Sequence, residues 1–146
     1  MSNKIAIFSK TENKVIDAIY INDLEKSYYK DRNDLYEYYN IPENLVDYPI
    51  KIIKENNNTE ILIDDNLLEM QLPIIKESIR SERNIIIKGT DYLILEDVNS
   101  DKIKVKKYRE YLRNIPANIT LENIKKNIKI TILTYEEYIN QIEVQN

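Results

Sequence analysis

Near Asp65 the spacing of apolar residues changes, and that change divides the chain into two kinds of structure. Before it, Lys4–Ser9 and Lys14–Ile21 alternate or run apolar around the polar turn Lys10-Thr11-Glu12-Asn13, the pattern of a β-hairpin. Ile50–Lys54 and Glu60–Asp64 flank Asn56-Asn57-Asn58 in the same way and predict a second hairpin. The stretch between them, Asn22–Asn40, is polar and rich in tyrosine. Tyr29, Tyr36 and Tyr39 stand near helical spacing behind Asn22 as a cap, which predicts a helix or an ordered loop.

After Asp65 the spacing becomes helical. Leu68, Leu72, Ile75, Ile79 and Ile86 share one face of a helix. Pro73 is expected in its first turn, where a missing N–H costs little. Gly89, the only glycine, is expected as a left-handed cap at its end. A second helix is predicted over about Lys102–Asn114, stopping before Pro116. Thr120 is placed to cap a short helix, Lys129–Leu133 reads as a strand, and Thr134-Tyr135-Glu136-Glu137 has capping-box spacing for a final helix.

The expected fold class is therefore α+β. Small antiparallel hairpins form the N-terminal part, and a helical module with a late short strand forms the C-terminal part. The boundary falls between a β-rich lobe at 1–66 and a helical module at 67–146, with one continuous domain as the alternative.

The residue inventory removes much chemistry. Among 146 residues there is no histidine, cysteine or tryptophan. That excludes an imidazole base, a thiolate nucleophile, a disulfide framework and the metal sites built on those ligands. One glycine cannot build a phosphate-binding loop. No apolar run approaches the roughly 20 residues of a membrane span, and Met1-Ser2-Asn3-Lys4-Ile5 has no apolar leader core. The expectation is a cytoplasmic protein with no membrane partner and no cofactor.

Twelve tyrosines stand beside abundant Ile, Asn, Lys and Glu, a bias that an AT-rich genome imposes through its codons. Tyr28, Tyr29, Tyr36, Tyr38, Tyr39 and Tyr48 sit among polar residues and suit either ordinary packing or a protein interface. The acidic pairs Asp64-Asp65 and Glu96-Asp97, with Asp101 near the second, have the chemistry for acid–base work or a hard cation. They also have the chemistry of helix caps and turns, which is the preferred reading. No catalytic or metal-ligating residue is assigned.

Charge is unevenly distributed. Residues 101–129 carry nine Lys or Arg against three acids, +6, while the remainder of the chain carries -10. On a helix, Lys102, Lys106, Arg109 and Arg113 form one stripe, and Val105, Tyr108, Leu112 and Ile115 form an apolar stripe beside it. A solvated face or a protein contact suits that arrangement better than nucleic acid, because an acidic chain repels a polyanion.

The stretch Arg83–Pro116 resembles the C-terminal module of phage tail fibre assembly chaperones. Arg83, Ile86 and Ile87 occupy the arginine-led helical part. Thr90-Asp91-Tyr92 stands where that family has Thr-Asp-Trp, and Leu95 and Asp97 follow. Tyr108-Arg109, Leu112-Arg113 and Ile115-Pro116 match the last part, with Asn114 in place of Asp. The Ile41–Asn44 segment after the first hairpin looks like the family's variable front end.

The resemblance implies a non-enzymatic assembly factor that binds a tail fibre or other tail protein, in the host cell or on the particle. A homo-oligomer is left open. Asp91, Tyr92, Asp97, Tyr108, Arg109, Leu112 and Arg113 would be the motif or partner-binding residues. From the residues themselves, Tyr108 and Leu112 are expected to pack the second helix against the Ile75, Ile79 and Ile86 face, with Tyr92 bridging the two. Arg109 and Arg113, exposed beside that seam, are expected to pair with Asp91, Asp97 or a partner carboxylate. A structural tail or baseplate component is the second reading, motivated by the stretch Ala117–Asn146, whose strand would pair with another subunit.

Overall fold

The computed structural model describes residues 3–145. Met1, Ser2 and Asn146, which belong to the leader reading and the C-terminal stretch, lie outside the described residues. The fold is α+β, with antiparallel strands first and helices after them. The chain forms two compact units, Met1–Glu69 and Met70–Asn146.

In the first unit, β1 (Lys4–Ser9) lies between β2 (Lys14–Tyr20) and β3 (Tyr36–Asn40), antiparallel to both. Ile5 to Ser9 are all buried, so β1 runs apolar because both its faces are covered. On one face Ala6 packs with Ile41 and Ile50, surrounded by Val15, Tyr39, Leu45, Val46, Ile52 and Ile61. On the other, Ile7 lies opposite Tyr38, whose hydroxyl donates to the Tyr29 carbonyl. The Tyr29 ring meets Tyr36 edge-on at 5.1 Å.

β3 is a correction to the expected helix or loop over Asn22–Asn40. That stretch is a 3-10 turn, Ile21–Lys26, then turns, then β3. No side chain caps the 3-10 turn, so Asn22 does not act there. The near-helical tyrosine spacing misleads because Tyr29 lies outside the strand. Within β3 the residues alternate, with Tyr36 and Tyr38 on the Ile7 face and Glu37 and Tyr39 on the other.

β4 (Ile50–Glu55) and β5 (Asn58–Ile63) form the second hairpin in register Ile50↔Ile63 to Glu55↔Asn58. Asn56 and Asn57 both take positive φ, 49° and 66°, the geometry of the turn that matches strand twist. The other non-glycine residues with positive φ among the described ones are Asn13 and Asp31. In a chain with one glycine, short polar side chains fill the left-handed positions.

α1 spans Asp65–Gly89. Asp64 Oδ1 accepts from Leu67 N at 3.2 Å and so begins the helix. This early start leaves Pro73 in the helix interior rather than in its first turn. The missing N–H there costs roughly 3 kcal/mol. At the other end Gly89 has no positive φ. The Thr90 backbone N–H and its hydroxyl both donate to Ile87 O, at 2.9 and 2.7 Å, so the carbonyl the glycine cap was expected to serve is already satisfied.

In the second unit α2 (Lys102–Asn114) starts at Asp101, whose Oδ1 accepts from Ile103 N and Lys104 N. Val105, Tyr108, Leu112 and Ile115 are buried, as their shared face predicts, together with Ile79, Ile119 and Ile124. Each such aliphatic side chain contributes on the order of 1.5–3 kcal/mol. Thr120 caps α3 (Leu121–Lys126), and the Thr134 hydroxyl accepts from Glu137 N to start α4 (Tyr135–Gln145).

The stretch 129–133 is not a strand. Instead of a strand partner, the Leu133 backbone has two tyrosines. Its carbonyl accepts from Tyr108 Oη at 2.8 Å, and its N–H donates to Tyr111 Oη at 3.0 Å. Tyr111 stacks on Tyr138 at 4.9 Å, and Tyr135 meets the Tyr108 ring edge-on at 5.5 Å, which seats α4 on α2.

Candidate partner-binding face on the second helix

The motif residues of the C-terminal unit fall into two groups. Tyr108 and Leu112 are buried, and with Ile115 they form the α2 core face. Burial pushes the Tyr108 phenol above its ordinary value, with the neighbouring Tyr111 and Glu137 adding to the shift. These two side chains hold the unit together and offer no contact surface.

Arg109 lies beside them and is only 12% exposed. Its Nη1 donates to Thr90 Oγ1 and Asp91 Oδ1, both at 2.8 Å, and to Ile87 O at 3.3 Å. One edge of the guanidinium therefore closes the end of α1 and the start of the following turn. It joins residues far apart in sequence, and it differs from the exposed arginine expected at this position.

Lys102 is also withdrawn from the expected basic stripe. Its ammonium lies 2.8 Å from Leu93 O, 2.6 Å from Leu95 O, 2.8 Å from Val98 O and 2.9 Å from Ser100 Oγ. Three N–H bonds shared among four oxygens hold the connection between α1 and α2 in place. No spacing rule marks this contact, since three of the four acceptors are backbone carbonyls of the connection.

One of the expected contacts does not form. Tyr92 is 59% exposed and does not bridge the helices. Of the carboxylates expected at the seam, Asp91 pairs with Arg109, while Asp97 lies exposed in a turn. Arg113 is exposed near the end of α2, where its carbonyl accepts from Arg83 Nη1 at 3.2 Å.

Ile94, Lys106, Arg109, Glu110, Arg113 and Asn114 line a surface depression of about 720 Å³. Among the described residues, the side chains of Lys106 and Arg113 meet no acceptor. Tyr92, Ile94, Leu95 and Ile103 are exposed on the elements that form or adjoin it. Two cations that meet no acceptor among the described residues therefore lie next to accessible apolar side chains.

Asp64 lines a depression of about 550 Å³ with Glu12, Lys14 and Lys51, but its Oδ1 already caps α1. Among the described residues no three carboxylates gather to hold a metal ion, and no helix is long and apolar enough to cross a membrane. No family model, curated protein or solved structure matches the chain.

Proposed function

We propose that the protein is a non-enzymatic assembly factor for a tail fibre of a phage or phage-tail-like particle. It would act in the cytoplasm of the host bacterial cell by binding the fibre protein. One observation carries this reading. The separate pieces of the fibre-chaperone-like stretch meet in space, because Arg109 bonds Thr90 and Asp91 while Tyr108, Leu112, Ile115 and Pro116 are buried together in the same unit.

Co-expression with the fibre protein of the same particle tests it. The expected result is more soluble fibre and a complex that co-purifies. No gain in solubility and no complex would overturn the reading. A structural tail or baseplate component is the second reading. Mass spectrometry of finished particles separates the two, since fixed copy number there marks a structural component.

A further inference from the structure

We propose that the depression beside α2 is the docking site for an acidic segment of a partner polypeptide, whose carboxylate is received by the free edge of Arg109. Nη1 of that side chain is committed to Ile87, Thr90 and Asp91. Among the described residues, Nε and Nη2 meet no protein acceptor, although Arg109 lines the depression. A guanidinium offers a planar fork of donors that matches a carboxylate with two parallel bonds. Here one edge is anchored and the other is spare. The side chain is held in place before any partner arrives, so little rotamer freedom is lost on binding.

Lys106 and Arg113 flank Arg109 on the same helix at spacings of three and four, so all three cations share a face. Asp91 offsets Arg109, and Glu110 supplies one acid on the lining. That leaves a modest positive excess focused at one concavity, which suits a few carboxylates better than a phosphate backbone. The chain's acidic balance outside 101–129 opposes a polyanion further. Ile94 forms an apolar part of the wall, with Leu95 and Ile103 exposed on neighbouring elements. The segment that fits therefore carries acidic and aliphatic side chains together.

The proposal rests on the fibre-assembly reading only for the partner's identity. Its test uses the full chain, labelled with nitrogen-15, and a short blocked peptide of glutamates and leucines. The controls are the same peptide with glutamine for glutamate and an oligothymidylate. The acidic peptide should shift the amides of Ile94 and 106–114, and the glutamine peptide should not. Lys106→Glu with Arg113→Glu, both exposed and expected to fold, should weaken binding at least about tenfold. Arg109→Lys keeps a donor for Asp91 but lacks the second edge, and should weaken it as well.

Equal shifts from the glutamine peptide, shifts elsewhere on the chain, stronger binding of the oligothymidylate, or no shift at millimolar peptide would each overturn the proposal. None of these results depends on a fibre protein. Failure of peptide binding and failure of the fibre co-expression are therefore distinguishable.

Discussion

Arg109 Nη1 and Asp91 Oδ1 lie 2.8 Å apart, yet the two side chains are unequal partners: 12% of the arginine is exposed and 59% of the aspartate. The exposed carboxylate is well hydrated and adds little, about 0.2–1 kcal/mol. The arginine also donates to Thr90 Oγ1 and shares the Ile87 carbonyl with Thr90's own two donors, so its loss removes part-buried bonds from a charged donor. Asp91→Ala is expected to cost under about 1 kcal/mol, whereas Arg109→Met is expected to cost about 1–3 kcal/mol. Urea unfolding of the single and double variants checks this. Equal losses for the two would contradict it.

Removing the Tyr108 hydroxyl tests the packing of stretch 129–133 on α2. Tyr108→Phe deletes one hydrogen bond to Leu133 O but keeps the ring, and should cost about 0.5–1.5 kcal/mol. Tyr111→Phe frees the Leu133 N–H instead. Its amide should then exchange with solvent markedly faster, while those of the α2 core stay protected. Unchanged exchange at Leu133 would show that another group holds that amide.

Gly89 ends α1 without positive φ, and a Cβ added there meets nothing within 4 Å. Glycine costs conformational entropy here without serving a turn. Gly89→Ala should raise stability by about 0.4–1 kcal/mol. A fall in the thermal midpoint would mean that the left-handed cap operates after all.

The first unit should be sensitive to acid through Glu37. Its carboxylate accepts from Lys54 Nζ at 2.6 Å and from the Tyr39 hydroxyl, and these bonds hold its pKa below the ordinary value. A lowered folded-state value contributes stability above the unfolded-state value of about 4.3. The contribution disappears as pH falls through the folded-state value. Lys54 is raised, chiefly by its bond to Glu37, so its part is complete below about pH 10 and lost as pH rises further. The stability difference between the wild type and Glu37→Gln should therefore be flat near neutrality and shrink below about pH 4. A difference that persists unchanged into stronger acid would exclude this pair as its source.

Much of the helical half was legible in the sequence because its signals are local. Asp101, Thr120 and Thr134 cap helices a few residues away, and the Val105, Tyr108, Leu112 and Ile115 spacing marks the buried side of α2. Asn56 and Asn57 marked the second hairpin for the same reason, since a turn is decided within a few residues. Pro73 and Gly89 misled because a cap at Asp64 and a hydroxyl on Thr90 moved the helix ends.

The candidate site was legible only as a list of charged positions. Which cation stays free depends on acceptors distant in sequence. The carbonyls of Leu93, Leu95 and Val98 enclose Lys102, while the end of α1 anchors one edge of Arg109.

By itself, then, the sequence determined the class of fold, the hairpin turns, the span of α2 and the cap that starts α3, since caps, turns and hydrophobic period act over a few residues. Tertiary structure alone decided that 36–40 pairs as a strand and that 129–133 does not. A strand exists only when a neighbouring backbone completes its ladder. β1 does so for Tyr36–Asn40, while two tyrosine hydroxyls occupy the backbone of Leu133 instead.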